Sequence, residues 1–305
     1  MDFLYMLEKI RVPGLNELML AVTKLGEETA LLVIALIVFW CIDKKKGYYI
    51  LGVGFLGTMI NQVLKLHFQI PRPWVRDPNF TILEAAKEEA AGFSFPSGHT
   101  QTAVGTFGAL AVTTKKRSLC ALFIILPILV GFSRMYIGVH TPEDVLTSAA
   151  IAVLLLLLVY PMVMGKLERF TPWLLGVMVA LSVLFLGYVN NIGADIAGLS
   201  EDAAHNIESG FKNAYTMLGC TVGLVAVWFA DRKLNFDTKA LWWAQILKVV
   251  IGLGLVLAVK EGLRAPLEAL CNGHLIARSI RYFLIVITAG ILWPLSFRFA
   301  PKEKV

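Results

Sequence analysis

Charge is scarce in this sequence. Of its 305 residues only 16% are Asp, Glu, Lys or Arg, against about a quarter in an average soluble domain. A soluble enzyme of this length would lack the charge to keep its surface solvated. Cysteine is scarcer still. Cys41, Cys120, Cys220 and Cys271 are scattered, with no CxxC spacing, which excludes a disulfide scaffold and offers no zinc or redox pair. The first three stand inside apolar runs and read as small packing residues. No repeat of fixed period is visible. What is abundant is apolar surface, 57% of the chain, and that excludes intrinsic disorder. The class that remains is all-α, a polytopic membrane helical bundle.

A span needs about 20 apolar residues. Uncharged runs predict nine spans, roughly 28–42, 47–66, 99–114, 118–139, 143–165, 171–191, 212–230, 240–259 and 279–297. The first is short and is expected to be partly covered by protein. The eighth carries Lys248 in mid-run, which must face the bundle interior or snorkel. Residues 1–27 do not read as a cleavable signal, because Asp2, Glu8, Lys9 and Arg11 interrupt the apolar stretch. Leu15, Leu18, Leu20, Ala21 and Leu25 surround Glu17 and Lys24 at loosely helical spacing, and an interfacial helix against the bundle is expected there.

Alternate turns sort by charge. Residues 43–46, 115–117, 166–169, 231–239 and 298–305 hold 14 Lys/Arg and 5 Asp/Glu, while the longer loops of the opposite side hold 13 and 17. The positive-inside rule places the five basic turns and the C-terminus in the cytoplasm. Loops 67–98, 192–211 and 260–278 then lie outside, with the N-terminal segment. The net charge of +6 therefore reports topology, and no nucleic-acid partner is expected.

Ionisable residues near spans are costly and mark function or pairing. Three clusters stand at the outer span ends. In Lys65-Leu-His-Phe-Gln-Ile-Pro-Arg72-Pro73, Pro71 and Pro73 hold Arg72 in an extended turn. Phe95-Pro96-Ser97-Gly98-His99 opens the third span. Ser133-Arg134-Met-Tyr-Ile-Gly-Val-His140-Thr-Pro-Glu-Asp144 closes the fourth and starts the fifth. Each alone reads as a snorkelling anchor, a common turn or a helix cap. Their convergence on one membrane face reads otherwise. Lys65, Arg72 and Arg134 suit a phosphate, arginine through its two-pronged fork. Ser97 and Gly98 precede a helix start, where free N–H groups favour an anion. Asp144, four residues after His140, can fix the imidazole tautomer and leave the other nitrogen as a nucleophile. His99 then faces the leaving group as general acid. Such a set performs covalent phosphoryl transfer.

The three clusters resemble the three-part signature of the type 2 phosphatidic acid phosphatase superfamily, K-x6-RP, PSGH and SR-x5-H-x3-D. Here they read Lys65…Arg72-Pro73, Pro96-Ser97-Gly98-His99 and Ser133-Arg134…His140…Asp144, with every position matched. The resemblance implies metal-independent dephosphorylation of a lipid phosphate through a phosphohistidine. His140 would be the nucleophile, Asp144 its orienting partner and His99 the proton donor. Lys65, Arg72, Ser97, Gly98 and Arg134 would hold the phosphoryl oxygens. It also implies a six-helix catalytic core over residues 28–191, between an N-terminal segment 1–27 and a C-terminal transmembrane extension 192–305 of about three helices, on which it is silent. No metal and no cofactor are expected. The rival metal reading of His140 and Asp144 lacks the several carboxylates that two-metal phosphatases need, since Glu143 and Asp77 lie among cations.

Other features read more plainly. Residues 81–91 are predicted to form a short acidic helix ended by Gly92, most simply a solvated connector. Trp74 and Phe93 flank the motifs, as interfacial aromatics commonly do. Lys260, Glu261, Arg264, His274, Arg278 and Arg281 read as interface anchors with some ion pairing. The expected activity is that of an extracytoplasmic-facing lipid phosphatase acting on phosphatidic acid, phosphatidylglycerol phosphate, a polyprenyl diphosphate or a sphingoid base phosphate. A phosphotransferase using the same phosphohistidine, or a transporter that carries phosphate without cleaving it, are the alternatives. The motifs grip phosphate and do not choose the lipid.

Overall fold

Small and hydroxylated side chains point inward and large aliphatic ones outward, the reverse of a soluble helix pack. Ser148 and Thr106 are almost fully covered, while Ile128 and Leu157 are 64% and 69% exposed. This is the pattern of helices whose outer faces meet hydrocarbon and whose inner faces approach through small residues. The computed structural model describes residues 1–87, 90, 92–166, 168–193 and 201–301.

The described chain is helical, without strands. Short helices α1 (Asp2–Lys9) and α2 (Pro13–Thr23) lead into α3 (Glu28–Cys41) and α4 (Lys44–Phe68). A single turn, α5 (Pro73–Arg76), follows, then α6 (Gly98–Thr113), α7 (Arg117–Tyr136), α8 (Pro142–Val163) and α9 (Thr171–Gly193). The last third holds α10 (Glu201–Leu234), α11 (Trp242–Gly262), α12 (Arg264–Leu270) and α13 (Ile276–Ile287). Among the described residues seven helices are long and apolar enough to cross a membrane. The two spans predicted at 28–42 and 99–114 form the 14-residue α3 and 16-residue α6. At 1.5 Å per residue these reach only about 21 and 24 Å, short of a ~30 Å hydrocarbon core.

Three local expectations are corrected. Residues 81–91 were expected to be helical; the described part holds one 3-10 turn, Glu84–Ala86, and Glu88, Glu89 and Ala91 lie outside the described residues. The span expected at 212–230 belongs to a helix of 34 residues that begins at Glu201. It is longer because its polar first turns still bury Ile207 (1% exposed). The loop expected at 192–211 is therefore helix from 201, and residues 194–200 lie outside the described residues. The last span is not one α-helix: α13 gives way to a π-turn, Thr288–Leu292, and then a 3-10 stretch, Pro294–Phe299. Pro294 has no N–H to extend the α-helical ladder.

The chain divides into two compact units. The first comprises residues 1–32, 49–160 and 193–210. Its axis is α6, buried along most of its length and packed against α7. Tyr49 closes α4 onto α8 by donating its hydroxyl to Leu156 O at 2.8 Å. The N-terminal helices do not merely lie at an interface. Met19 packs with Ala86, Ala90, Tyr136, Ile137 and Val139, Arg11 donates to Tyr136 O at 2.9 Å, and Tyr136 donates to Asn16 Oδ1 at 2.8 Å. The turn from α7 into His140 passes through Gly138, whose φ of +91° disfavours a side chain, and a Cβ there would sit 2.8 Å from Arg11 Nη2.

The second unit comprises residues 33–48, 161–192 and 211–305. Trp40, wholly buried, donates to Ala289 O at 2.8 Å. Ser182 and Thr221 bridge α9 and α10 at 3.0 Å. Lys44 and Asp231 form an ion pair at 2.8 Å. Lys248 does face inward: it is 3% exposed, donates to Thr238 O at 3.2 Å and lies 4.5 Å from the Phe297 ring centre. Of the C-terminal charged set, Arg278 donates to Thr216 Oγ1 at 2.6 Å and Lys260 lies 3.5 Å from Glu261.

Candidate active site

Helix caps place the reactive groups. Ser97 is the N-cap of α6, its Oγ accepting from Thr100 N at 3.4 Å and from Thr100 Oγ1 at 3.0 Å, and so Gly98 and His99 open the helix. Thr141 caps α8. Asp144 N donates to Thr141 Oγ1 at 3.4 Å, and Thr141 N donates back to Asp144 Oδ2 at 2.8 Å. That reciprocal pair is a capping box with Asp in the third position. The carboxylate facing His140 is thus locked by the same bonds that start α8.

Asp144 is 2% exposed, and its Oδ2 gathers two further donors, Ser94 Oγ at 2.6 Å and His140 Nδ1 at 3.3 Å. On the other edge of the ring, Arg72 Nη1 lies 2.9 Å from His140 Nε2. A guanidinium has no acceptor, so Nε2 is the accepting nitrogen. The proton therefore sits on Nδ1, directed at Asp144. His140 is held as the tautomer whose Nε2 lone pair accepts from Arg72.

Lys65 and Arg72 are held by main-chain carbonyls, Arg134 by a hydroxyl. Lys65 Nζ donates to Phe93 O, Arg72 Nε to Gly92 O at 3.0 Å, and Arg72 Nη1 to Val139 O at 3.0 Å. Arg134 Nη1 donates to Thr23 Oγ1 at 2.9 Å. All three are buried, at 6%, 6% and 1% exposure. They surround a cavity of about 310 Å³, lined also by Gly98, His99 and His140. Three buried cations at one concave surface favour a dianion.

Six of the eight residues singled out from sequence therefore line one cavity. Ser97 and Asp144 do not. Asp144 stands behind His140, and Ser97 is engaged as a cap, with its N–H donated to Asp144 O at 3.1 Å. Sequence reasoning missed Ser94 and Thr23, whose hydroxyls hold Asp144 and Arg134. Phe93 is buried and Trp74 packs on the Met19–Tyr136 cluster. Among the described residues no group of His, Cys, Asp and Glu is arranged to hold a metal ion.

His140 lies in the turn between α7 and α8. Burial, and after it Arg72, Arg134, Lys65 and His99, push its pKa well below the usual 6.5. The neutral imidazole is therefore the resting form, and His140 should stay unprotonated as pH falls through 6.5. For kcat/KM measured from about pH 4.5 to 8, which reports the free protein, the limb lost to His140 protonation is expected below 6.5. An acid limb at 6.5 or higher that follows His140 would contradict this. The linked stability runs the same way. An unfolded His140 takes up a proton near 6.5 and the folded one does not, so stability is lost as pH falls below 6.5.

The model of the PAP2 superfamily matches residues 46–168, and that of the PAP2 superfamily phosphatase, transmembrane extension, matches residues 215–304. Undecaprenyl-diphosphatase BcrC of Bacillus subtilis is 32% identical over 127 residues, covering 41% of this chain and 63% of that protein. Phosphatidylglycerophosphatase B of the same organism is 31% identical over 163 residues, covering 49% of this chain and 76% of that protein. The match thus spans just under two thirds of the first relative and about three quarters of the second. The crystal structure of Aquifex aeolicus LpxE aligns with a TM-score of 0.47 at 25% identity, over 52% of this chain and 92% of that one.

Proposed function

Because the chain belongs to the PAP2 superfamily, we propose that it is a membrane lipid phosphatase working through a phosphohistidine on His140, with its site on the extracytoplasmic face. One observation carries the reading. A buried imidazole, fixed by Asp144 at 3.3 Å and with its unprotonated Nε2 accepting from Arg72 at 2.9 Å, lines a cavity that also presents His99 and three buried cations. Pure binding of phosphate needs neither nucleophile nor acid.

In the first half-reaction His140 Nε2 attacks phosphorus and the P–O bond to the lipid breaks. His99, protonated once the bound phosphate offsets the surrounding cations, gives that proton to the departing oxygen. Lys65, Arg72 and Arg134 hold the three remaining oxygens, and Asp144 balances the positive charge on the phosphorylated ring. In the second half-reaction water attacks the same phosphorus and passes a proton to neutral His99. The P–N bond breaks and inorganic phosphate leaves. Both imidazoles return to their starting states, and no step requires a metal.

The face is supported by charge alone. The five turns richest in Lys and Arg alternate with the loops that carry Arg72, His99 and His140. The two relatives named above are called phosphatases of different lipids, one a diphosphate, so their names leave the lipid open.

The test is phosphate release from a panel of lipid phosphates by purified protein in detergent with EDTA, with acid- and alkali-quenched samples taken during turnover. The expected result is release in EDTA and a protein-bound phosphate that is acid-labile and alkali-stable. Sealed, right-side-out cells should release phosphate from added substrate without lysis. No release from any substrate, or full inhibition by EDTA, would sink the phosphohistidine reading. Release only after lysis would reverse the face.

A further inference from the structure

Three of the five basic turns read from sequence only as markers of sidedness. In the second unit, residues of turns 43–46, 166–169 and 231–239 line one cavity of about 460 Å³. It is larger than the cavity of about 310 Å³ around His140, and within the roughly 300–1,000 Å³ of small-ligand sites. Lys44 and Lys45 reach it from the start of α4, Arg169 from the turn before α9, and Arg232 from the end of α10. Its two carboxylates are already taken. Asp231 Oδ1 lies 2.8 Å from Lys44 Nζ, and Glu168 Oε2 lies 2.5 Å from Lys45 Nζ. Among the described residues neither Arg169 nor Arg232 has a carboxylate within ion-pair distance.

Each guanidinium rests on a ring instead. Arg232 Cζ lies 4.8 Å from the Trp228 ring centre, and Arg169 Cζ lies 4.9 Å from that of Phe170. Stacking covers the flat face of a guanidinium and leaves the N–H groups along its edge unused. Those edges are what a phosphate takes, two at a time. The lining is also fixed in place. Thr171 is 5% exposed, and its Oγ1 lies 2.7 Å from Met162 O and 2.8 Å from Glu168 O, which holds the turn that carries Arg169. Asp43 Oδ1 accepts from Lys45 N at 2.8 Å and so fixes the start of α4. Val163 and Trp228 add apolar surface to the cavity. Trp173, near the start of α9, and Phe229, near the end of α10, are 74% and 56% exposed, as aromatics at headgroup level are.

We propose that this cavity binds, through Arg169 and Arg232, the phosphate of an anionic ligand, either a membrane phospholipid headgroup or a soluble phosphate ester. The apolar lining and the exposed aromatics favour the lipid. By the charge pattern of the turns, that lipid belongs to the cytoplasmic leaflet. The site does not depend on the phosphatase reading.

Native mass spectrometry of the full chain in detergent can compare Kd for phosphatidylglycerol and for phosphatidylcholine of equal chain length. Wild-type protein is expected to hold the anionic lipid about tenfold more tightly. In the double variant Arg169→Gln/Arg232→Gln that ratio is expected to fall about fivefold or more. Arg72 and Arg134 are kept in every variant, so any lipid held around His140 is common to all. Lys233→Gln/Lys239→Gln removes two exposed charges from the same stretch without touching the cavity lining, and should leave the ratio near that of wild type. Competition by glycerol phosphate separates the two sources. Displacement of the lipid at equal concentration marks a soluble ester as the ligand, and displacement only at about a hundredfold excess marks the lipid. A wild-type ratio near one, or a ratio that survives loss of both arginines, would overturn the site. An equal fall in the lysine variant would overturn it too, because diffuse surface charge would then suffice. Should the glutamine variant fail to fold, Arg169→Lys/Arg232→Lys keeps the charge and loses the fork. It is expected to weaken phosphatidylglycerol binding severalfold, and unchanged binding would overturn the site.

Discussion

His140→Ala is expected to lower phosphate release by about 10⁴-fold or more, the largest effect of any single substitution in this protein. Loss of a covalent nucleophile costs on that scale because the remaining groups can only stabilise a reaction that must now begin with water. Among the described residues the other imidazole lining the cavity is His99, at the start of α6, to which the proposed mechanism gives a separate task. The scaffold should survive the change. Arg72 keeps its bonds to Gly92 O and Val139 O at 3.0 Å each, and Arg134 keeps Thr23. Inhibition of residual activity by inorganic phosphate should therefore stay within a few-fold of wild type. Release by the variant within tenfold of wild type would remove His140 from the role of nucleophile.

The second large effect is expected at Asp144, where stability and chemistry are joined. Asp144→Ala takes away the acceptor of Ser94 Oγ, Thr141 N and His140 Nδ1 together. It also takes away the carboxylate whose charge acts on the buried Lys65 and Arg72. Removing one member of a buried ionic set costs about 3 kcal/mol, and kcat is expected to fall roughly 10³-fold as the imidazole loses its tautomer and its countercharge. Asp144→Asn separates the two. An amide oxygen still accepts the cap and ring protons, so thermal unfolding in detergent should move less than in the alanine variant. The negative charge is gone, so kcat should remain depressed. A fully active asparagine variant would show that the carboxylate serves only as a cap.

Much of this site could be read before any fold was known, because its reactive groups sit where chain-local rules place them. Ser97-Gly98-His99 begins a helix and His140-Thr141-Pro142 precedes one, so the caps that orient the histidines are written at short range. The support behind them was not legible. Ser94 and Thr23 act from 50 and 111 residues away from their partners, and no spacing rule reaches that far. The carbonyls of Gly92, Phe93 and Val139 that hold Lys65 and Arg72 carry no side-chain signature at all. Arg11 read only as an interruption of the apolar N-terminal stretch, but the fold turns it inward to Tyr136 O. The helix expected over 81–91 failed for a related reason. Arg11 donates to Thr81 O at 2.8 Å and Leu83 N to Ile137 O at 3.1 Å, and these tertiary bonds compete with local propensity.

The tie between Thr23 and Arg134 bears on the order of events during synthesis. The first 27 residues leave the ribosome well before the segment they will grip. At about 5–20 residues per second, the 111 residues separating that pair take roughly 6 to 22 s to appear. Through that interval α1 and α2 can already reach Thr81 and Ala86, but Arg134 is not yet present to donate to Thr23. A chain stalled short of residue 134 would carry both early motifs and no finished pocket. The pocket is thus expected to be completed late, when the earliest-made part of the protein gains its contact with α7.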